Sequence, residues 1–271
     1  MSADRLAIED LSVFGLPPVE FVQVAAALGC SYISTGLTAM PLDSLGYPPF
    51  SLRDDAALRR DMRTAMADCG VEISLEEGFL IIPDLDWDAF AVDLDLMHEL
   101  GAPRINTLGL DPDLDRTFDQ FATLAEMAAE RGMQTTLEMM PGSVVGNLDT
   151  AVNAVKHVAR PDFQLLIDTM HIARSGAGAD AIRALDPATI GYGQLSDSPV
   201  IESMEDYIVA ATFERMIPGT GTLPLADLLD ALPRNIPIGL EVPLRSQAEA
   251  GLGPLDRLRP CVDTARALIP T

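Results

Sequence analysis

Positive charge is scarce in this chain. Lys and Arg together number 18 against 41 Asp and Glu, leaving a formal charge of -23 over 271 residues. A surface of that sign repels phosphate backbones and anionic bilayers, so neither nucleic acid nor membrane is expected as a partner. No apolar run reaches the roughly 18 residues that a membrane helix needs, and "MSADRLAIED" shows no basic stretch followed by an apolar one. A cytoplasmic location is therefore expected. Three cysteines, Cys30, Cys69 and Cys261, are odd in number and far apart, which predicts buried or free thiols instead of a disulfide framework. Aromatic residues make up only 5%. Phe14 and Phe79 read either as an apolar wall for a sugar ring or as core. The turn after the first apolar run, "LSVFGLPP", lacks the glycine pattern of a dinucleotide-binding sheet.

Alternation is what the chain has instead. Short apolar runs suited to strands fall at Leu6–Leu11, Tyr32–Leu37, Glu72–Glu76, Arg104–Leu108, Gln134–Glu138, Phe163–Asp168, Gly191–Leu195 and Ile236–Glu241. Between them, stretches such as "LRRDMRTAMADCG" and "LDRTFDQFATLAEMAAERG" repeat apolar residues at three- and four-residue spacing and stop at glycine. Eight strand–helix units in this length predict an α/β fold, a single-domain (β/α)8 TIM barrel over residues 1–271, with a doubly wound sheet as the alternative. Two long irregular stretches, Thr38–Leu52 and Ser196–Leu223, each follow a strand and would lie on the catalytic face.

Strand ends carry the chemistry. The fifth strand ends in Glu138, the sixth in Asp168 with His171 three residues on, the seventh holds Gln194 followed by Asp197, and the eighth ends in Glu241. In a closed barrel these ends converge. Three converging carboxylates cannot all stay ionised in a half-buried place without a cation. Three carboxylates and an amide oxygen form a hard, oxygen-rich set suited to Mn²⁺ or Mg²⁺, with Co²⁺ tolerated. Asp168 alone could equally cap the helix that follows it. His98 and His157 read as helix-surface residues, whereas His171 is placed to contact substrate. Arg174 reads as a substrate contact or a structural pair, Glu76 or Glu77 as a pocket wall or a solvated pair, and Asp197 as a neighbour of the ligands or a loop cap.

"LEMMP", "IDTMHIARSG", "GYGQLSDSP", "PGTGTLPLADLLDAL" and "IGLEVP" together resemble the xylose isomerase-like TIM-barrel superfamily. The resemblance implies Glu138, Asp168, Gln194 and Glu241 as metal ligands and His171 as a substrate or outer contact. It further implies an isomerase or epimerase of a keto-sugar or keto-cyclitol, with Glu138 or Glu241 abstracting the proton beside a metal-polarised carbonyl. A small polyhydroxy-ketone substrate and a homodimer or homotetramer would be ordinary for such a protein. The alternative is a dehydratase of the 3-dehydroshikimate or inosose type, with His171 as acid for the departing water. More remote is a non-catalytic ligand-binding barrel, and a histidine-rich, DNA-cleaving member is excluded by three histidines and the charge. Two departures stand out from the 3-epimerases. Gln194 replaces a common histidine, and Val200 stands where an arginine is usual.

Overall fold

The computed structural model describes residues 5–40 and 42–270; Pro41, within one of the two irregular stretches, lies outside them. Eight parallel strands close into a barrel in chain order. They are β1 (Leu6–Ile8), β2 (Tyr32–Thr35), β3 (Glu72–Ile81), β4 (Arg104–Gly109), β5 (Gln134–Glu138), β6 (Phe163–Asp168), β7 (Ile190–Leu195) and β8 (Ile238–Leu240). The first five helices are α1 (Pro18–Ala27), α2 (Ala56–Cys69), α3 (Trp87–Leu100), α4 (Leu114–Ala129) and α5 (Leu148–Val158). After β6 come α6 (Thr169–Arg174) and α7 (Ala179–Arg183), and after β7 come α8 (Met204–Phe213) and α9 (Leu225–Ala231). The last two, α10 (Arg245–Glu249) and α11 (Pro254–Leu268), follow β8. Pairing of Leu6 with Ile238 and Ile8 with Leu240 closes the ring. The (β/α)8 architecture expected from the alternation is the one found.

Surplus acid is put to structural use at helix starts. Asp55, Asp86 and Asp113 each accept backbone N–H bonds at the N-termini of α2, α3 and α4. There a carboxylate satisfies an orphan donor and complements the helix dipole. Gly70 and Gly101 close α2 and α3 with φ of 65° and 91°, a backbone state that a side chain disfavours. The inward faces of these helices bury Met62, Leu94, Met97, Phe121 and Leu124 against the sheet. Phe121 meets Phe163 of β6 at 5.8 Å between ring centroids, and Phe79 meets Phe90 edge-on at 5.0 Å. Phe79 and Phe14 are both core residues, the latter beneath the Arg257 guanidinium. Cys30 and Cys261 are buried and Cys69 is exposed, with no disulfide among the described residues.

Several boundaries differ from the sequence expectation: β2 ends at Thr35, β8 spans only Ile238–Leu240 so that Glu241 lies just past its end, and β4 and β7 each run one residue longer. β1 stops at Ile8, and Asp10–Val13 tightens into a 3-10 turn. β3 runs on to Ile81 past a register shift between Glu76 and Phe79, where Gly78 takes φ 112°. The Ser196–Leu223 stretch holds a full helix, α8. Its sequence, "MEDYIVAATF", is apolar around most of its circumference and shows no helical stripe; Ser203, accepting from Asp206 N, starts it. No helix among the described residues is long and apolar enough to cross a membrane.

Inside the barrel a polar column lies under the mouth. Tyr192 of β7 donates its hydroxyl to Glu9 Oε1 at 2.8 Å and lies 2.9 Å from Ser74 Oγ. Arg104 sits over the Tyr192 ring and donates to the Ser74 carbonyl. Glu9 can lie there only because Gly239 of β8 has no side chain, since a Cβ at that position would overlap the Glu9 carboxylate. Gly239→Ala is therefore expected to lose about 1–3 kcal/mol in urea unfolding through overpacking. Glu9→Ala in the same chain should recover much of that loss. Strictly additive effects in the double-mutant cycle would contradict the packing account.

Candidate active site

Glu138, Asp168, Gln194 and Glu241 are brought by β5, β6, β7 and the end of β8 to one mouth, all of them buried. Register explains the convergence: Asp168 pairs with Gln194, Gln194 with Gly239, and Glu241 N donates to Leu195 O across the next ladder. Asp168 fills both roles open to it. Its Oδ1 accepts from the backbone N–H groups of Met170 and His171, capping α6, while Oδ2 is left to a side-chain partner.

The side chain that Oδ2 meets is Arg215, just beyond α8. Its Nη1 lies 2.6 Å from Asp168 Oδ2 and its Nη2 2.5 Å from Glu241 Oε2, and only 3% of the residue is exposed. Among the described residues Arg215 is the one guanidinium paired with these two carboxylates, and it carries a charge absent at Val200, which is exposed. Glu138 is held differently. Asn106 of β4 donates to its Oε2 at 2.7 Å and also to Glu77 at 3.0 Å. His171 Nε2 lies 3.2 Å from Glu138 Oε1, and Tyr207 of α8 stands 2.7 Å from the other ring nitrogen.

Charge is badly out of balance here. Burial, then the charges of Glu138, Glu9 and Glu241, push the Glu77 carboxyl far above the usual range. Burial also drives Glu241 upward, with Arg215 opposing and Glu138, Asp168 and Glu9 adding to the rise. At Asp168 burial likewise resists ionisation, but the Arg215 guanidinium and the capping N–H groups outweigh it and hold the carboxyl below its ordinary value. Glu9, on the floor, is pushed to about 7, first by burial; hydrogen bonds from Ser34 and Tyr192 oppose the rise and the charge of Glu138 adds to it. Arg215 is paired with two of these carboxyls, Asp168 and Glu241, and the charge of Glu138 also acts on it.

The donor set fits a divalent ion. Glu138, Asp168 and His171 each bring a ligand-competent atom within 4.8 Å of the others, a cluster able to hold a metal. Gln194 Oε1 is buried without a partner, its Nε2 being 3.4 Å from Glu241 Oε1. Glu241 Oε2 has the Arg215 ion pair but no aligned hydrogen bond. An amide oxygen left bare in a buried, carboxylate-rich space is the arrangement a cation satisfies.

Other residues singled out in the sequence lie elsewhere. Arg174 donates to the carbonyls of Ile201 and Glu202 and covers the Tyr207 ring, so it secures the segment before α8. Asp197 accepts from the backbone N–H of Ser198, Gly219, Gly221 and Leu223, a loop cap with both oxygens engaged. Glu76 is fully buried, neither of its oxygens hydrogen-bonded, and its carboxyl is raised by burial and by Asp10, away from the Glu138 group. His157 pairs with Asp119 on the helix surface. Reading from sequence missed Arg215, Tyr207, Asn106 and Glu9. Two had a signal: Asn106 is a polar residue inside an interior strand, and Glu9 is a strand-end carboxylate like the other three.

A closed (β/α)8 barrel with a carboxylate-ringed mouth defines a recognisable class of protein. The chain belongs to the xylose isomerase-like TIM-barrel family, whose sequence profile matches residues 22–261. It is 26% identical over 220 residues to a 3-dehydroshikimate dehydratase of Pseudomonas putida, a match covering 71% of this chain but only 34% of that protein's length. It is 27% identical over 203 residues to a putative hydroxypyruvate isomerase of Streptomyces coelicolor, covering 63% of this chain and 68% of that one. The fold superposes on the crystal structure of the IolI protein with a bound zinc atom at a TM-score of 0.78, covering 98% of both chains at 14% identity.

Two outcomes follow from the electrostatics. Arg215→Met strands Asp168 and Glu241 as buried charges, so the metal-free protein should lose about 3–5 kcal/mol in urea unfolding, with the deficit narrowing in saturating Mn²⁺. An unchanged midpoint would remove Arg215 from its counter-ion role. For Glu9, the folded chain keeps a proton that the unfolded chain releases near pH 4.5. Its stabilising contribution is complete below about pH 4.5 and is lost as pH rises through about 7, up to about 3 kcal/mol. Unfolding free energies of the metal-free protein at pH 5 and pH 7.5 should therefore converge in Glu9→Gln relative to wild type.

Proposed function

We propose that the protein is a divalent-metal-dependent isomerase or epimerase acting on a small keto-sugar or keto-cyclitol, by moving a proton next to its carbonyl. The observation that carries this reading is the disposition of the two glutamates. Glu138 on β5 and Glu241 beyond β8 come from strands three apart in a ring of eight, so they approach one space from different sides. Each is held by its own donors, Asn106 beside Glu138 and Arg215 beside Glu241.

Glu138, Asp168, Gln194 and Glu241 would hold the ion, and the oxygen-rich set suits Mn²⁺ or Mg²⁺. A divalent ion there supplies a Lewis acid that polarises a carbonyl. Glu138, its second oxygen engaged by Asn106, takes the α-proton at Oε1. Glu241, on the other side of the mouth, delivers a proton to the opposite face or to the neighbouring carbon, giving an epimer or an isomer. His171, 3.2 Å from Glu138, donates to a substrate oxygen.

Loss of water is the second reading. It is supported by His171, which with Tyr207 behind it can hydrogen-bond a leaving β-hydroxyl, and by the dehydratase among the relatives. The C–H proton goes to Glu138, which passes it to the departing hydroxyl while His171 Nε2–H holds that oxygen; water leaves and a conjugated ketone remains.

Incubating the protein with Mn²⁺ and a panel of ketoses, inososes and 3-dehydroshikimate in D₂O tests both readings. Solvent deuterium at the α-carbon of recovered substrate or product is expected. An absorbing enone would select the dehydratase. Glu138→Gln should lower turnover by about 10²–10⁴-fold while the chain stays folded. Failure to retain a stoichiometric divalent ion in equilibrium dialysis under saturating Mn²⁺ would sink the metal-dependent reading altogether.

A further inference from the structure

We propose that Tyr207 is a positioning residue that fixes His171 as its Nε2–H tautomer, making His171 a hydrogen-bond donor toward substrate and withholding it from the metal. Tyr207 is 1% exposed, and its hydroxyl has one partner, His171 Nδ1, at 2.7 Å. A buried hydroxyl carries one proton that needs an acceptor. If Nδ1 were protonated and donated to Tyr207, the tyrosine proton would be left without one. With Tyr207 donating to Nδ1, the imidazole proton sits on Nε2 and faces Glu138 Oε1 at 3.2 Å, where a carboxylate accepts it. Every donor in the chain Tyr207–His171–Glu138 then has an acceptor, and the reverse tautomer would aim a nitrogen lone pair at a carboxylate oxygen.

Tyr207 is itself held in place. The Arg174 guanidinium covers its ring at 5.4 Å and donates to the Ile201 and Glu202 carbonyls, while Met170 and Ala211 pack beside it. The tyrosine arrives on α8, in the segment between β7 and β8 that also brings Arg215 to Asp168 and Glu241. One loop segment therefore sets both the charge balance of the ligand carboxylates and the donor state of the histidine. Glu138, Asp168 and His171 are close enough to form a three-residue metal cluster. A proton on Nε2 removes the nitrogen facing that cluster and leaves the oxygen donors to the ion.

The catalytic consequence rests on the enolising function proposed above, but the tautomer does not. The metal-free, full-length protein with ¹⁵N-labelled histidine contains three imidazoles, His98, His157 and His171, and His171→Gln identifies the third in long-range ¹H–¹⁵N spectra. Wild type should show His171 protonated at Nε2 and bare at Nδ1. Tyr207→Phe, which removes one oxygen and keeps the ring under Arg174, should give a mixture of tautomers. On a substrate that the enzyme turns over, the same variant should lower kcat about tenfold with KM little changed, the scale of one hydrogen bond lost in the transition state. A wild-type His171 protonated at Nδ1, alone or together with Nε2, or a Tyr207→Phe spectrum identical to wild type, overturns the assignment whether or not a substrate is found. Full activity in Tyr207→Phe alongside mixed tautomers overturns the positioning role alone.

Discussion

Everything at the mouth of this barrel is arranged around the repulsion among its carboxyls. Glu77, Glu138, Asp168 and Glu241 face one space with Glu9 beneath them, and among the described residues a single buried guanidinium, Arg215, is paired with Asp168 and Glu241. Two of its nitrogens hold two carboxylates from different strands. Its Nε is tied to Ala211 O, so the charge is delivered at a set place by the end of α8. Loss of that one contact would release a like-charge cluster that burial already disfavours.

The polar column below the mouth extends the same logic downward. Most of the chain's core lies between sheet and helices and is aliphatic. Inside the barrel, Tyr192 and Ser74 engage Glu9, and Gly239 opens the space for its carboxylate. A raised Glu9 gives the site a floor that carries less negative charge at neutral pH than its composition suggests. The segment between β7 and β8 covers the site from above. There Asp197 gathers four backbone N–H groups and Arg174 anchors the approach to α8, so Tyr207 and Arg215 enter at defined positions.

A bare, buried amide oxygen at Gln194 lies beside Glu241, and Glu138, Asp168 and His171 form a cluster that could hold a metal. The relatives carry the names of a dehydratase and an isomerase, the two readings proposed above. In that proposal His171 and its Tyr207 partner supply the hydrogen-bond donor toward substrate.

Periodicity and strand-end residues were enough to place all eight strands and the residues Glu138, Asp168, Gln194 and Glu241, because both signals are local. Alternating apolar runs stop where the barrel ends, and a polar residue at that point has only the mouth to face. Glu9 escaped because the first apolar run was carried past its true end at Ile8, hiding one more strand-end carboxylate. Arg215 and Tyr207 escaped for a deeper reason. They lie 47 residues after Asp168 and 36 after His171, in a stretch without helical periodicity, and nothing nearby in sequence marks them as partners. Arg174 and Asp197 stood next to ligands in sequence and turned out to brace loops. Sequence by itself determined the barrel and the ring of oxygen donors, since both repeat a short-range pattern. Only tertiary structure decided which cation neutralises that ring and which atom of His171 carries its proton, since Coulomb and hydrogen-bond partners are chosen by distance in space.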